Sequence, residues 1–424
     1  MASSDSEKLQ QYVQHITSVP NLHQYSPESK QLIKTIYDYV ITASRTPAVY
    51  QVLEERFSSE SAKGAIYDGI EHTVRTHIES LNKYSINVSL SVGGRTYMLF
   101  FVFPMSRDTI TNAIWAKCGA EVEAFVKRAH IWLSVASHYA SIKCSKTVDA
   151  YLYMTALKKT LPSGLDTIID REHANTAFTT SCQETTEIML YRREEAFKVF
   201  IHESFHNLGL DFSAFETAII SSRVAVQQIF PVSSKLSVYE TYCEMWAEVI
   251  NIVIQDVVEH PRRRGFETAW PTIVRHINME RRFTMFQAAK VLSHNGVRYA
   301  DLMVPGNRYQ EKTEVFCYYI LKSILMFHCD AFLAWCSKNN VASGLQFNPA
   351  NAEKYVRDLI VGYYHVEALP KGAASNPLKK DGRLFINNNG GYVEALNKTQ
   401  EHFVKNRVRL PALIRNTMRM TVIE

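Results

Sequence analysis

With 424 residues, the chain is long enough for two or three domains or one large two-lobed unit, and 46% hydrophobic with 21% charged residues excludes a disordered or fibrous protein. A formal charge of +5 is mild for this length and argues against a chain built around a polyanion. No apolar run reaches the roughly eighteen residues that a membrane-spanning helix needs, which excludes such a helix.

Residues 1–82 are predicted to form a helical region, on the recurrence of Leu32, Ile33, Ile36, Tyr37 and Val40 at helical spacing. A hairpin follows. Ile86, Val88, Leu90 and Val92 alternate with polar residues, Gly93-Gly94 turns the chain, and Tyr97, Leu99, Phe101 and Phe103 lead back. Ile110 to Tyr139 reads as one long helix. Val148–Thr155, His173–Thr179 and Glu187–Arg192 are strand candidates. The last enters Glu194–Leu208, whose Ala196, Phe197, Val199, Phe200, Ile201 and Phe205, with no Gly or Pro, predict a largely buried helix; Gly209 follows as its C-cap. A second apolar helix carries Glu240, Glu244 and Glu248. From about 265 to 340 the pattern is helical again, notably Phe283–Leu292 and Val315–Trp335, and 370–392 reads as a long loop, a functional lid or a surface excursion. The expected class is α+β. It divides into a helical region 1–82, a core 83–260 and a mainly helical C-terminal lobe 261–424 with a basic tail.

Within the first buried helix, His202-Glu203-Ser204-Phe205-His206 is an H-E-x-x-H motif. Residues four apart lie on one helix face, so His202 and His206 can aim imidazoles at one metal ion, and Glu203 can reach a water bound to it as general base. Zinc needs a further protein ligand and an open position for water. Phe212 stands where a metzincin would place a third histidine, and Asp211 is one residue off that register. The glutamates of the next helix remain. They occupy one face of a helix that is apolar elsewhere, so a solvated acidic stripe accounts for them poorly.

Glu244-Met-Trp-Ala-Glu248 resembles the Glu-x-x-Ala-acidic element of gluzincin-type metallopeptidases, of which thermolysin is the familiar member. The resemblance covers about fifty residues and implies a two-lobed zincin-like fold with the metal in the cleft. It implies Glu244 as third ligand and Glu248 behind it, orienting a ligand histidine. Glu240 as ligand with Glu244 behind it fits the spacing equally well; Ala247 favours Glu244. In such enzymes an edge strand beside the cleft pairs with extended substrate, and 173–192 is similar to that arrangement.

The implied reaction is hydrolysis of a peptide or protein substrate, with a Tyr or His from the helical lobe steadying the oxyanion. Tyr318 and Tyr319 are the candidates, ahead of His276, His294, His328 and His365. The runner-up is a protein that keeps the fold and the zinc without turnover. Seven scattered cysteines are expected to be free core thiols, and a polar N-terminus without a signal-peptide core suggests an intracellular, cytoplasmic protein without a membrane anchor. Basic clusters at 262–264, at 281–282 and at Lys405, Arg407, Arg409, Arg415 and Arg419 are expected to be solvated loops and helix ends. With no nucleotide loop or zinc-finger spacing, a nucleic-acid partner is not expected.

Overall fold

The computed structural model describes residues 4–16, 18–60, 62–105, 111–164, 167–263, 265–361 and 389–424. Two helices, α1 (Ser4–Gln14) and α2 (Pro27–Arg45), open the chain. Ser26 caps α2 by accepting from Ser29 N–H, and Pro27 fills the first turn, where a missing N–H costs nothing. The predicted stripe from Leu32 to Val40 is buried.

The N-terminal region is not all helix. Tyr50–Ser58 forms β1, exposed on both faces, so it lacks the apolar alternation that reveals a strand. Glu54, Glu55 and Arg56 charge it as an outer edge should be charged. After α3 (His72–Glu79) come β2 (Lys83–Val92) and β3 (Arg95–Pro104), the predicted hairpin. Its turn has φ of 58° at Gly93 and 75° at Gly94, values that favour glycine at both central positions.

Then follow α4 (Asn112–Ser137), β4 (Thr147–Tyr153), α5 (Arg171–Ala174), β5 (Ala177–Thr179) and β6 (Thr185–Leu190). The six strands form one mixed sheet in the order β1-β2-β3-β4-β6-β5. β3, β4 and β6 run parallel, while β1 and β5 pair antiparallel at the two edges. The strand expected over 173–179 is shorter, because Asp170 caps the helical turn α5 through Arg171 N–H and extended backbone begins only at Ala177.

Alternation along the strands feeds two faces. Val148, Ala150 and Leu152 join the main core, while Tyr151 and Tyr153 pack with Tyr67, Ile70, Val74 and Ile78 on the other side. Against the main face lie α4 and α6 (Ala196–Asn207); α7 (Glu216–Gln227) and the long α8 (Val238–Glu259) follow. α8 is buried along nearly its whole length.

The rest is helical: α9 (Phe266–His294), a π-helical turn at Phe316–Leu321, α10 (Lys322–Phe327), α11 (Cys329–Asn339), α12 (Ala352–Val356), α13 (Asn389–Asn406) and α14 (Ala412–Asn416). Most of the loop expected at 370–392 lies outside the described residues, and α13 begins at Asn389. Residues 417–423 are buried. Glu195 accepts from the backbone N–H groups of Met420 and Thr421, and Glu280 from those of Val422 and Ile423. One continuous hydrophobic cluster joins α1, α2, the main sheet face and the C-terminal helices.

Two expectations need correction. Cys144 and Cys182, 38 residues apart, form a disulfide between the approach to β4 and the β5–β6 turn, elements that only the fold brings together. The other five cysteines are buried and free, as expected. The basic clusters are partly consumed inside. Arg281 donates to the carbonyls of Pro20 and Phe327, Arg263 pairs with Asp256, and buried Arg419 pairs with Glu424. Arg264 lies outside the described residues. Among the described residues no single helix is long and apolar enough to cross a membrane.

Candidate metal centre

Helix α6 is fixed at both ends. Arg192, just before it, donates to the carbonyls of Asn175, Lys158 and Glu172 and anchors the turn out of β6. At the far end Gly209 adopts φ of 64°; its N–H bonds His206 O at 3.1 Å, and Leu210 N–H bonds Phe205 O at 2.9 Å. This is a Schellman motif, which favours glycine at the left-handed position. A Cβ there would also lie 2.9 Å from Cys144 Sγ. The turn carries Asp211 back beside the helix, where its Oδ2 takes a hydrogen bond of 2.7 Å from His206 Nδ1.

The two Nε2 atoms face each other. His202 Nε2 and His206 Nε2 are 3.2 Å apart, and Glu240 Oε2 lies 2.9 Å from the first and 3.4 Å from the second. Ligands about 2.0–2.1 Å from a tetrahedral zinc stand ~3.3 Å from one another, so three such atoms form a donor triangle of the right size. Two imidazole nitrogens this close cannot both point protons inward, whereas one cation shared by all three donors satisfies each. The residues fit a metal of the zinc type.

Electrostatics agree. Burial works to lower the pKa of His202, but Glu240 and Glu244 outweigh it and lift it to about 9. For His206 burial is likewise overcome, by Cys243, Glu240 and Asp211. Burial alone would raise the Glu240 carboxyl; the two imidazoles hold it well below its ordinary value. The pocket attracts positive charge. Glu203 differs: burial raises it to about 7, against the pull of both histidines, and it lines the cleft.

The third donor atom beside the two imidazoles thus belongs to Glu240, one turn before the expected Glu244. Glu244 is not in the donor triangle. Lys198 Nζ bonds its two oxygens at 2.8 and 2.7 Å, and its Oε1 lies 2.9 Å from His202 Nδ1, an ion-pair contact without hydrogen-bond alignment. Glu248 is further off and bonds Lys322 at 2.5 Å. The cause is antiparallel packing of α6 and α8. Going up α8, Glu240 meets His206 and His202, while Glu244, one turn on, meets Lys198, one turn before His202. Ala247 is buried in the core and does not decide between them.

Of the tyrosines, Tyr318 faces the cleft, its ring centroid 6.1 Å from that of His202. It sits in the π-helical turn, which adds a residue to that turn and shifts the faces of the residues that follow. Tyr319 points away, its hydroxyl donating to Met418 O at 2.5 Å. His294 bonds Thr167 O and His276 contacts Arg275, away from the site, and neither they nor His328 line the cleft. His365 lies outside the described residues.

Sequence reasoning missed three contributors. Asp211 was set aside for its register as a ligand, yet it braces the His206 ring. Cys243, which sequence pattern places on another face of α8, lies 3.7 Å from His206 Nδ1 and 3.6 Å from Asp211. Tyr239 packs edge-on against His206 and bore no signal beyond its nearness to Glu240.

The centre opens into a cleft of about 300 Å³, whose facing wall is Asn175 and the β5 residues Ala177, Phe178 and Thr179. Comparison with known families, curated proteins and solved structures finds no match for this chain.

Proposed function

We propose that the chain is a zinc-dependent peptidase of the two-lobed zincin type, with His202, His206 and Glu240 as metal ligands. The donor triangle beside Glu203 is the observation that carries this reading. A zinc held by these three residues would supply a bound water of lowered pKa and polarise the scissile carbonyl. Glu203 carries the proton in this scheme: its carboxylate takes it from the attacking water and passes it to the leaving amine nitrogen. Tyr318 lines the same cleft and donates a hydrogen bond from its hydroxyl to the developing oxyanion.

The substrate is an extended peptide. Thr176 O and Thr180 N–H are bonded to β6, so by alternation Ala177 and Thr179 turn their backbone groups away from it, along a wall of the cleft. A peptide laid there adds a strand at the sheet edge.

Replacing Glu203 by Gln tests the catalytic part. Metal content is expected to stay at the wild-type level while hydrolysis of an unstructured protein such as casein is lost. Hydrolysis by Glu203→Gln at the wild-type rate contradicts the assignment, and a metal-loaded wild type without turnover points to the scaffold reading.

A further inference from the structure

Behind the donor triangle lies a cluster of buried charges for which the proposed chemistry has no use. Lys198 and Lys322 are each 1% exposed in their side chains, and both reach Glu244. Lys198 holds both of its oxygens; Lys322 approaches Oε2 at 3.5 Å and also bonds Glu248 and Met420 O. Buried ion pairs contribute little that apolar side chains of the same volume would not. The position of this one suggests its use. It stands against Nδ1 of a ligand histidine, and it binds the glutamate that shares a helix face with Glu240.

We infer that Lys198, assisted by Lys322, is a positioning residue that holds Glu244 against His202 and leaves Glu240 as the ligand; the inference rests on the metal reading above. With both oxygens engaged by ammonium N–H donors, Glu244 is held outside the donor triangle, yet Oε1 stays 2.9 Å from His202 Nδ1 and restrains that ring. Glu240 has no such restraint: among the described residues its ion pairs are to the two imidazoles alone. Without Lys198, Glu244 retains Lys322 as its cation and is drawn toward it, away from His202. Groups that orient a metal ligand typically contribute 10- to 100-fold in affinity.

The test is Zn2+ affinity by chelator competition on the full chain, for wild type, Lys198→Met, Lys198→Arg, Glu244→Gln and the double variant Lys198→Met/Glu244→Gln. Lys198→Met is expected to weaken Zn2+ binding about 10- to 100-fold, with most of the loss recovered in Lys198→Arg. If Lys198 acts through Glu244, the double variant binds Zn2+ as Glu244→Gln does; a merely structural role adds its loss in either background. That comparison holds even where loss of the buried Lys198 ammonium keeps Lys198→Met from folding. Wild-type affinity in Lys198→Met, or a double variant weaker than Glu244→Gln, overturns the inference and leaves the metal site standing. A wild type that binds no Zn2+ overturns the metal reading itself, and this inference with it.

Discussion

Two adjacent tyrosines have opposite fates. Tyr318 is beside His202 in the cleft, and Tyr319 is tied to Met418 O in the core. Tyr318→Phe is therefore expected to lower kcat by about 10²–10³ with metal content and melting temperature unchanged. Tyr319→Phe is expected to keep kcat and lose roughly 1 kcal/mol of stability with its hydrogen bond. Steady-state kinetics beside thermal melts separate the two; a kcat loss in Tyr319→Phe instead would reverse the assignment. At this scale the sequence was legible where chemistry depends on spacing along one helix. His202, Glu203 and His206 need only α6. The placing of Glu240 rather than Glu244 beside the two imidazoles depends on how α8 lies across α6, and Lys198, which bonds both Glu244 oxygens, carries no motif. Asp211 was hidden for a related reason: a Schellman turn brings it back beside His206, and the turn was visible only as a glycine.

The motif helix depends on its ends. Gly209→Ala puts a Cβ at a left-handed φ and 2.9 Å from the Cys144 sulfur. The expected cost is about 1–3 kcal/mol in denaturant unfolding, with weaker metal binding because Asp211 is displaced from His206. A variant as stable as wild type would show that the turn has another conformation available. Among the elements, those with strong periodicity were read correctly. The hairpin β2–β3 and helices α4, α6 and α8 show apolar patterns because they are half or wholly buried. β1 was read as part of a helical region because it is a charged, exposed edge. β5 is three residues long, too short for alternation to register, although it forms a wall of the cleft. The Cys144–Cys182 link joins elements distant in sequence, which no local pattern reveals.

Across the whole molecule, the N-terminal helices, the sheet and the C-terminal helices share one hydrophobic cluster, and buried titratable groups couple that core to pH. His328, between α10 and α11, is pushed down to about 3 by burial and by the neighbouring Arg281. Above its ordinary pKa of about 6.5 the imidazole is neutral in folded and unfolded chains alike, and it does not oppose folding. As pH falls from about 6.5 toward 3, the unfolded chain takes up a proton that the folded chain refuses, so stability declines through that window. Denaturant midpoints at pH 7 and pH 5 should show this decline, and His328→Gln should show less of it. An equal decline in both would place the acid sensitivity elsewhere. The α+β class was legible from the succession of patterns. The burial of residues 417–423 was not, because its partners Glu195 and Glu280 are more than a hundred residues away.

In the proposed site, α6 and α8 together hold a metal through His202, His206 and Glu240. Elemental analysis of protein purified without chelators tests it most directly, with wild type beside His206→Ala, Glu240→Ala and Glu244→Ala. About one zinc per wild-type chain is expected. Zinc should be lost in His206→Ala and Glu240→Ala, and retained in Glu244→Ala when zinc is supplied in excess. A wild type free of metal, or a zinc content that survives Glu240→Ala and disappears with Glu244→Ala, would contradict it.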